Sequence, residues 1–243
     1  MMKQSANTTT LIEDFQKYFD IELATTPETM ESVFSIRYRV YCEEFGYEPP
    51  DAFPDKLERD EFDAVSSHCL VRHKATGLPA GCARLVHATE GSLLPMEKHC
   101  GHCIEESVIR AYDGRRDTVC EFSRLAVDGA FRRRAGEKAT RFGEISSLDI
   151  SLREQRTFSL IAVSTILAAF AMSDLIGRNN CFAMMEPFLP RLLKRSGITV
   201  HPAGHETDYH GLRSPYAFES KATIGGMLEE MQEFYRAIRA SFD

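Results

Sequence analysis

No stretch of this 243-residue chain is apolar for long enough to cross a bilayer. The best candidate, Leu160–Met172, runs for about 13 residues and contains Ser164 and Thr165, against the ~20 that a spanning helix needs. It reads instead as a buried helix of a globular domain. The opening Met1-Met2-Lys3-Gln4-Ser5-Ala6-Asn7 lacks the apolar centre of a secretory signal, so a cytoplasmic chain is expected. An excess of positive charge is missing as well. With 29 Lys and Arg against 36 Asp and Glu the net charge is −7, which argues against general nucleic-acid binding. No internal repeat or low-complexity segment is visible, which sets aside repeat architectures.

Cysteine is present but without a framework. Seven residues, an odd number scattered along the chain, are expected to stay reduced. Cys100-Gly101-His102-Cys103 has the form of a redox dithiol or half a zinc site, with His99 and His102 nearby. No second CxxC or HxxxH lies at a usual spacing. The pair also follows the loop-like Leu94-Pro95-Met96-Glu97 rather than the end of a strand. A surface-loop cysteine pair with no metal is the expectation.

What is present is an α+β (mixed α/β) pattern around one sheet. Residues 1–10 are polar and threonine-rich and read as disordered. A strand over Phe19–Ala24 precedes a helix that starts at Thr26-Pro27-Glu28, with threonine at the cap and proline in the first turn. Along it Val33, Phe34, Arg37, Val40, Tyr41 and Glu44 form one stripe, so Arg37 sits among apolar neighbours and requires an acid. Glu43–Lys56 reads as a loop. Val65–His73 and Ala80–His87 form a hairpin, Glu105–Tyr112 a short helix and Ser159–Ile176 the buried helix. A strand at Cys181–Met185 leads to a basic helix near Phe188–Arg195, with late strands at Ile198–Pro202 and Tyr216–Glu219. The last segment, 222–243, is an amphipathic helix with Met227, Leu228, Met231, Phe234, Tyr235 and Ile238 on one face. Residues 11–221 are expected to form the main domain.

Chemistry concentrates in Glu121-Phe122-Ser123-Arg124. The flanking Val119, Leu125 and Val127 make it a strand from inside a sheet, where a carboxylate and a guanidinium are costly unless paired. Arg132-Arg133-Arg134-Ala135-Gly136 follows as a cationic turn suited to phosphate. A buried acid beside such a cradle suggests group transfer from a phosphorylated carrier. A structural ion pair followed by a solvated basic loop accounts for the same residues. Arg37, Asp60, Asp63 and Arg84 add charges of alternating sign toward one end of the sheet.

In order and spacing these residues resemble the acyl-homoserine lactone synthases and the related long-chain N-acyl amino acid synthases of the GNAT superfamily. The resemblance rests on Arg37, Tyr41 and Tyr47; on Glu58, Asp60, Phe62 and Asp63; on Arg84 in Gly81-Cys82-Ala83-Arg84-Leu85; and on Glu121, Ser123 and Arg124. Met185-Glu186-Pro187, Arg191–Ile198 and Tyr209–Tyr216 are similar to a narrower group, the PEP-CTERM/exosortase-associated acyltransferases. The resemblance spans roughly residues 20 to 220.

It implies a GNAT-like N-acyltransferase fold, a central mixed sheet flanked by helices. It also implies transfer of a medium or long acyl group from the phosphopantetheine thioester of acyl carrier protein, or from acyl-CoA, to a small-molecule amine, without a tightly bound cofactor. Catalytic roles then fall to Glu121, Ser123 and Arg124, with Glu121 as the base. Arg37, Tyr41, Tyr47, Asp60, Asp63, Arg84 and Glu186 fall to substrate. Phe122, Leu125, Ala126 and Val127, with Arg132, Arg133, Arg134 and Gly136, fall to the donor. Homoserine lactone synthases carry tryptophan where this chain has Tyr47, and the chain has no tryptophan at all, which implies a different acceptor. A short-chain acetyltransferase using acetyl-CoA and a non-catalytic acyl-ligand-binding protein remain the alternative readings.

Overall fold

A computed structural model of the protein describes residues 10–132 and 157–243. The expectations for residues 1–9 and for Arg133, Arg134 and Gly136 lie outside the described residues. Eight strands form one mixed sheet: β1 (Phe19–Leu23), β2 (Ser66–His73), β3 (Pro79–His87), β4 (Val119–Val127), β5 (Asn180–Met185), β6 (His201–Pro202), β7 (Thr207–Asp208) and β8 (Leu212–Glu219). β1 to β4 lie side by side and antiparallel, β4 pairs parallel with β5, and β8 closes antiparallel on β5. The two-residue β6 and β7 both pair with β8. A parallel pair needs a crossover, and the sequence supplies the buried helix for it.

The helices are α1 (Leu11–Tyr18), α2 (Pro27–Arg37), α3 (Pro95–Cys100), α4 (Glu106–Arg110), α5 (Gly129–Arg132), α6 (Ser159–Leu175), α7 (Leu189–Lys194), α8 (Ser220–Gly226) and α9 (Glu229–Ala240). One face of the sheet carries α6 with α1 and α9; α2 covers the other. Gly81 of β3 permits the close approach of α6, since a Cβ there would lie 2.8 Å from Ile161 Cγ2. Phe15, Phe19, Phe131, Phe158 and Phe234 interlock at centroid distances of 5.2–6.1 Å and tie α1 and α9 to the core.

Several local expectations need correction. α1 was not foreseen, although Thr10 and Glu13 form a reciprocal capping box that starts it. Leu94-Pro95-Met96-Glu97 is not a loop but the start of α3, with proline in the first turn and Glu97 Oε2 accepting from the Leu94 N–H at 2.7 Å. Cys100 and Cys103 are fully buried rather than on a surface loop, packed with Phe62, Val86, Leu94 and Phe182. The helix begun at Pro27 is α-helical only to Arg37, and Tyr38–Glu44 continues it as a π-helix. Gly129–Arg132 form the short α5, and of the expected basic turn Arg132–Gly136 only Arg132 lies within the described residues. The Ile198–Pro202 strand is reduced to β6, while β8 is longer than Tyr216–Glu219. The terminal segment is two helices, α8 and α9, and Leu228 at their junction is exposed.

Phe234 is 1% exposed, whereas Leu228 is 57% exposed. Phe234→Ala should therefore lower unfolding free energy by about 3–5 kcal/mol in urea titration, and Leu228→Ala by no more than ~0.5 kcal/mol.

Candidate active site

β4 and β5 are hydrogen-bonded only from Val119 opposite Asn180 to Phe122 opposite Ala183. Beyond that the two strands part, and a cavity of about 330 Å³ opens between them. A second irregularity lies on the other side of β4. Arg84 of β3 is opposite Ser123, but Cys82 is opposite Ala126, so β4 holds one residue more than β3 over this span. The bulge is centred on Arg124, which has φ +47°.

That extra residue changes which side chains share a face. Before it, Cys120 and Phe122 pack into the α6 side while Glu121 and Ser123 face the α2 side. After it, Ala126 packs on the α2 side and Val127 on the α6 side. An unbroken strand would send Ser123 and Arg124 to opposite faces. Here both meet the same charged cluster.

The cluster is built on three arginines. Arg37, fully buried at the end of α2, donates from Nε to Glu58 and from Nη1 to Asp63 Oδ1 at 2.6 Å. Arg84, 1% exposed, donates from Nη1 to Asp60 Oδ1 at 2.5 Å and to Asp63 Oδ1 at 2.9 Å, and from Nε to Ser123 Oγ at 3.0 Å. Arg124 donates to Glu58 Oε1 at 3.1–3.2 Å and to Glu48 Oε1 at 3.2 Å, with Asp60 Oδ2 also 3.2 Å away. The Asp60 N–H donates to Asp63 Oδ2 at 2.7 Å. Burial alone would raise the Asp63 carboxyl, but Arg37 and Arg84 hold it well below the usual carboxylate range. Asp60 is lowered for the same reason, mainly by Arg84. Burial opposes the charge on Arg37 and Arg124, yet their carboxylates raise both. His68 lies 3.6 Å from Asp63; burial drives it down to about 4, so it is neutral at pH 7.

Glu121 is different. It is 3% exposed, lines the cavity, and accepts from the Met96 N–H at 2.9 Å through Oε2. Burial pushes its carboxyl up to about 8, only partly countered by that N–H and by Arg84 and Arg124. A carboxylic acid poised near neutrality at the edge of a cavity has the properties of a general base.

From Glu121 the cavity extends in two characters. One end is polar and aromatic: Tyr41, Tyr47, Tyr209, His210 and Arg213. The other is apolar, with Phe122, Ile166, Phe170, Leu193, Ile198 and Phe218 among its walls. Phe122, Phe170 and Phe218 pack on one another at 5.1–5.5 Å and form a rigid aromatic corner. The Tyr41 hydroxyl donates to the Leu125 carbonyl at the bulge, at 3.1 Å, and burial raises that phenol to about 12.

Of the residues singled out from sequence, Tyr41, Tyr47, Arg84, Glu121, Phe122, Ser123, Arg124, Leu125 and Glu186 line this cavity. Arg37, Asp60 and Asp63 stand behind it: Asp60 and Asp63 hold Arg84, Asp60 also faces Arg124, and Arg37 holds Asp63 and Glu58. Ala126 and Val127 are core residues paired with β3, because the strand has rejoined its partner beyond the bulge. Arg132 is held by Glu44 and by the Val127 carbonyl at 2.8 Å, its guanidinium 5.0 Å above the Phe45 ring. Sequence reasoning gave no site role to Glu48, Glu58 or the Met96 N–H. Charge balance pointed to the first two: three buried arginines exceed Asp60 and Asp63. Nothing in the sequence pointed to Met96, because α3 read as loop.

Two stability measurements test this electrostatic arrangement. Asp63→Asn leaves Arg37 and Arg84 short of charge inside the protein and should cost about 3–5 kcal/mol. Glu121 acts in the opposite sense. Its folded-state pKa lies above the unfolded value, so stability falls as pH rises from about 4.5 to 8. Glu121→Gln removes that dependence, and its stabilisation over the wild type should be about 2–4 kcal/mol larger at pH 8 than at pH 5.

Comparison with known proteins agrees with this geometry. Residues 36–141 match the family described as acetyltransferase (GNAT) domain. No curated protein matches the chain by sequence. Among solved structures, TofI in a ternary complex with an inhibitor and MTA superposes with a TM-score of 0.60 at 20% identity, covering 88% of this chain and 96% of that one. The CoA-dependent acyl-homoserine lactone synthase BjaI, with SAM and isopentyl-CoA, gives 0.58 at 16% identity over 90% of this chain and 89% of its own. FeeM, an N-acyl amino acid synthase from uncultured soil microbes, gives 0.54 at 14% over 86% and 94%. The protein has the GNAT-like fold of these synthases, a central mixed sheet flanked by helices, with a GNAT acetyltransferase domain match over residues 36–141.

Proposed function

We propose that this protein is an N-acyltransferase that moves a medium or long acyl group from a pantetheine thioester to the amine of an amino acid or similar small acceptor. The observation that carries this reading is the position of Glu121: a buried carboxyl with its pKa near 8, at the junction between a polar chamber and an apolar arm. The donor is acyl carrier protein or acyl-CoA, and the apolar arm takes its chain. Among the described residues no helix is long and apolar enough to cross a membrane, in keeping with a carrier-borne donor.

In the proposed reaction the acceptor nitrogen attacks the thioester carbonyl carbon while its proton passes to ionised Glu121, directly or through water. Backbone N–H groups where β4 leaves β5, between Phe122 and Ala126, face the developing oxyanion. Collapse of the tetrahedral intermediate breaks the C–S bond. The departing thiolate takes a proton, and the amide is left. Ser123 and Arg124 have positioning roles: Ser123 accepts from Arg84, and Arg124 orders Glu48 and Glu58. Glu186 is exposed at the cavity edge beyond β5, beside the entrance to the arm. The similarity of Tyr209–Tyr216 and Arg191–Ile198 to PEP-CTERM/exosortase-associated acyltransferases is the basis for proposing that narrower group. The many apolar residues in the cavity wall, among them Phe122, Ile166, Phe170, Leu193, Ile198 and Phe218, favour long acyl chains over acetyl.

Only the ionised form of Glu121 is a base, so kcat/KM should rise with pH through about 8. Glu121→Gln should lose about 10²–10⁴ in rate and also lose that limb, leaving only the one set by the acceptor amine. Mass-spectrometric detection of amide from decanoyl thioesters of acyl carrier protein and CoA, with pooled amino acids, is the measurement. No amide from either donor, or a Glu121→Gln protein with the wild-type profile, would defeat the proposal.

A further inference from the structure

Three arginines line the cavity, and two of them are neutralised. Arg84 has Asp60 and Asp63; Arg124 has Glu48, Glu58 and Asp60. Arg213 has no carboxylate partner among the described residues, and its Nε is buried with no hydrogen-bond acceptor. Arg37 and Arg84 each also bury one N–H without an acceptor, so what sets Arg213 apart among the described residues is that no carboxylate neutralises its charge. Among the described residues it meets an aromatic face instead: Arg213 Cζ stands 5.6 Å over the Tyr47 ring.

That ring is itself fixed. Tyr47 stacks on Phe45 at 5.2 Å and packs against His210 at 5.1 Å, and its N–H donates to the Tyr41 carbonyl at 2.7 Å. His210 holds φ +54° in the turn between β7 and β8, and lies 3.8 Å from Glu48. Tyr47 and the β7–β8 turn therefore hold Arg213 at the polar end of the cavity. Glu121 lines the same chamber.

Resting on the proposed N-acyltransferase reading, we infer that Arg213 is the acceptor-recognition residue, binding a carboxylate carried next to the amine that Glu121 deprotonates. A planar guanidinium also offers its two terminal nitrogens side by side, a pair that grips both oxygens of a carboxylate end-on while the buried Nε stays on the protein side. The chemistry selects amino acids over amines of the same shape that lack the acid. A phosphate on the donor's pantetheine arm is the other anion that could reach an arginine. The place of Arg213 in the chamber with Glu121 favours the acceptor.

The test separates this inference from the reaction itself. Binding of N-decanoylglycine and of its neutral isostere N-decanoylglycinamide is measured by calorimetry, with no turnover required. The wild type should prefer the acid at least tenfold. Arg213→Gln should erase that preference while leaving the amide's affinity within about twofold, and Arg213→Lys, which keeps the charge, should restore part of it. Equal affinity of the wild type for both compounds would overturn the inference, as would an acid preference that survives Arg213→Gln. A loss of affinity for both compounds alike would assign Arg213 to supporting Tyr47 instead. If amide synthesis is detected, the same variant should raise KM for glycine and leave KM for the acyl donor unchanged. A rise in donor KM alone would place the anion on the pantetheine arm and refute the proposal. Absence of synthesis together with an arginine-dependent acid preference would sink the reaction and leave the recognition site standing.

Discussion

Asp63 is the point on which the site is assembled. It accepts from two fully buried guanidiniums, one at the end of α2 and one on β3, and from the backbone of Asp60 in its own turn. Without that carboxylate, Arg37 would keep only Glu58 and Arg84 only Asp60, and the link between the two buried guanidiniums would be lost. The chain from Glu48 to Asp63, which has little regular structure, is fixed to the sheet by these charges together with the buried Phe62. Glu58 then serves Arg37 and Arg124 together, so the pairing reaches from α2 across to the bulge in β4.

Such pairs seldom stabilise a fold more than apolar residues of the same volume would. What they add is definition: a guanidinium fork fits its carboxylates in few orientations, and each arginine here is shared or chelated. The rigid backing matters because Glu121 sits in front of it. Its proton affinity depends on how close Arg84 and Arg124 stand and on how little water enters. Burial raises that affinity and the two arginines lower it, so a network that drifted apart would push the carboxyl further up, while one that admitted water would let it ionise nearer an ordinary pH.

The sequence made most of the longer strands, the buried helix and most of the charged set legible, for a simple reason. Buried charges inside apolar strands are conspicuous, and Glu121, Arg84 and Arg124 stand out against Val119, Leu85 and Val127. What could not be read were features carried by backbone geometry. The π-helical end of the α2 segment leaves no mark in a pattern that scans equally well as α-helix. α3 was hidden because proline in its first turn looks like a loop signal until the partner of the Leu94 N–H is known. Arg213 went unassigned because its significance is an absence of partners, and a sequence does not display absences between residues far apart.

The bulge at Arg124 is the other feature of that kind. Glu121 and Arg124 are an odd number of positions apart, so a regular strand would set them in different layers of the protein. They cooperate only because β4 carries one residue more than β3 across that span. The strand thus encodes its site by length as well as by composition. Many substitutions at Leu125, whose side chain is partly exposed, leave the count intact. Removing that residue would change no essential side chain, yet it would exchange the inward and outward sets of everything on one side of it, and place either a guanidinium in the aromatic core or a core residue among the carboxylates.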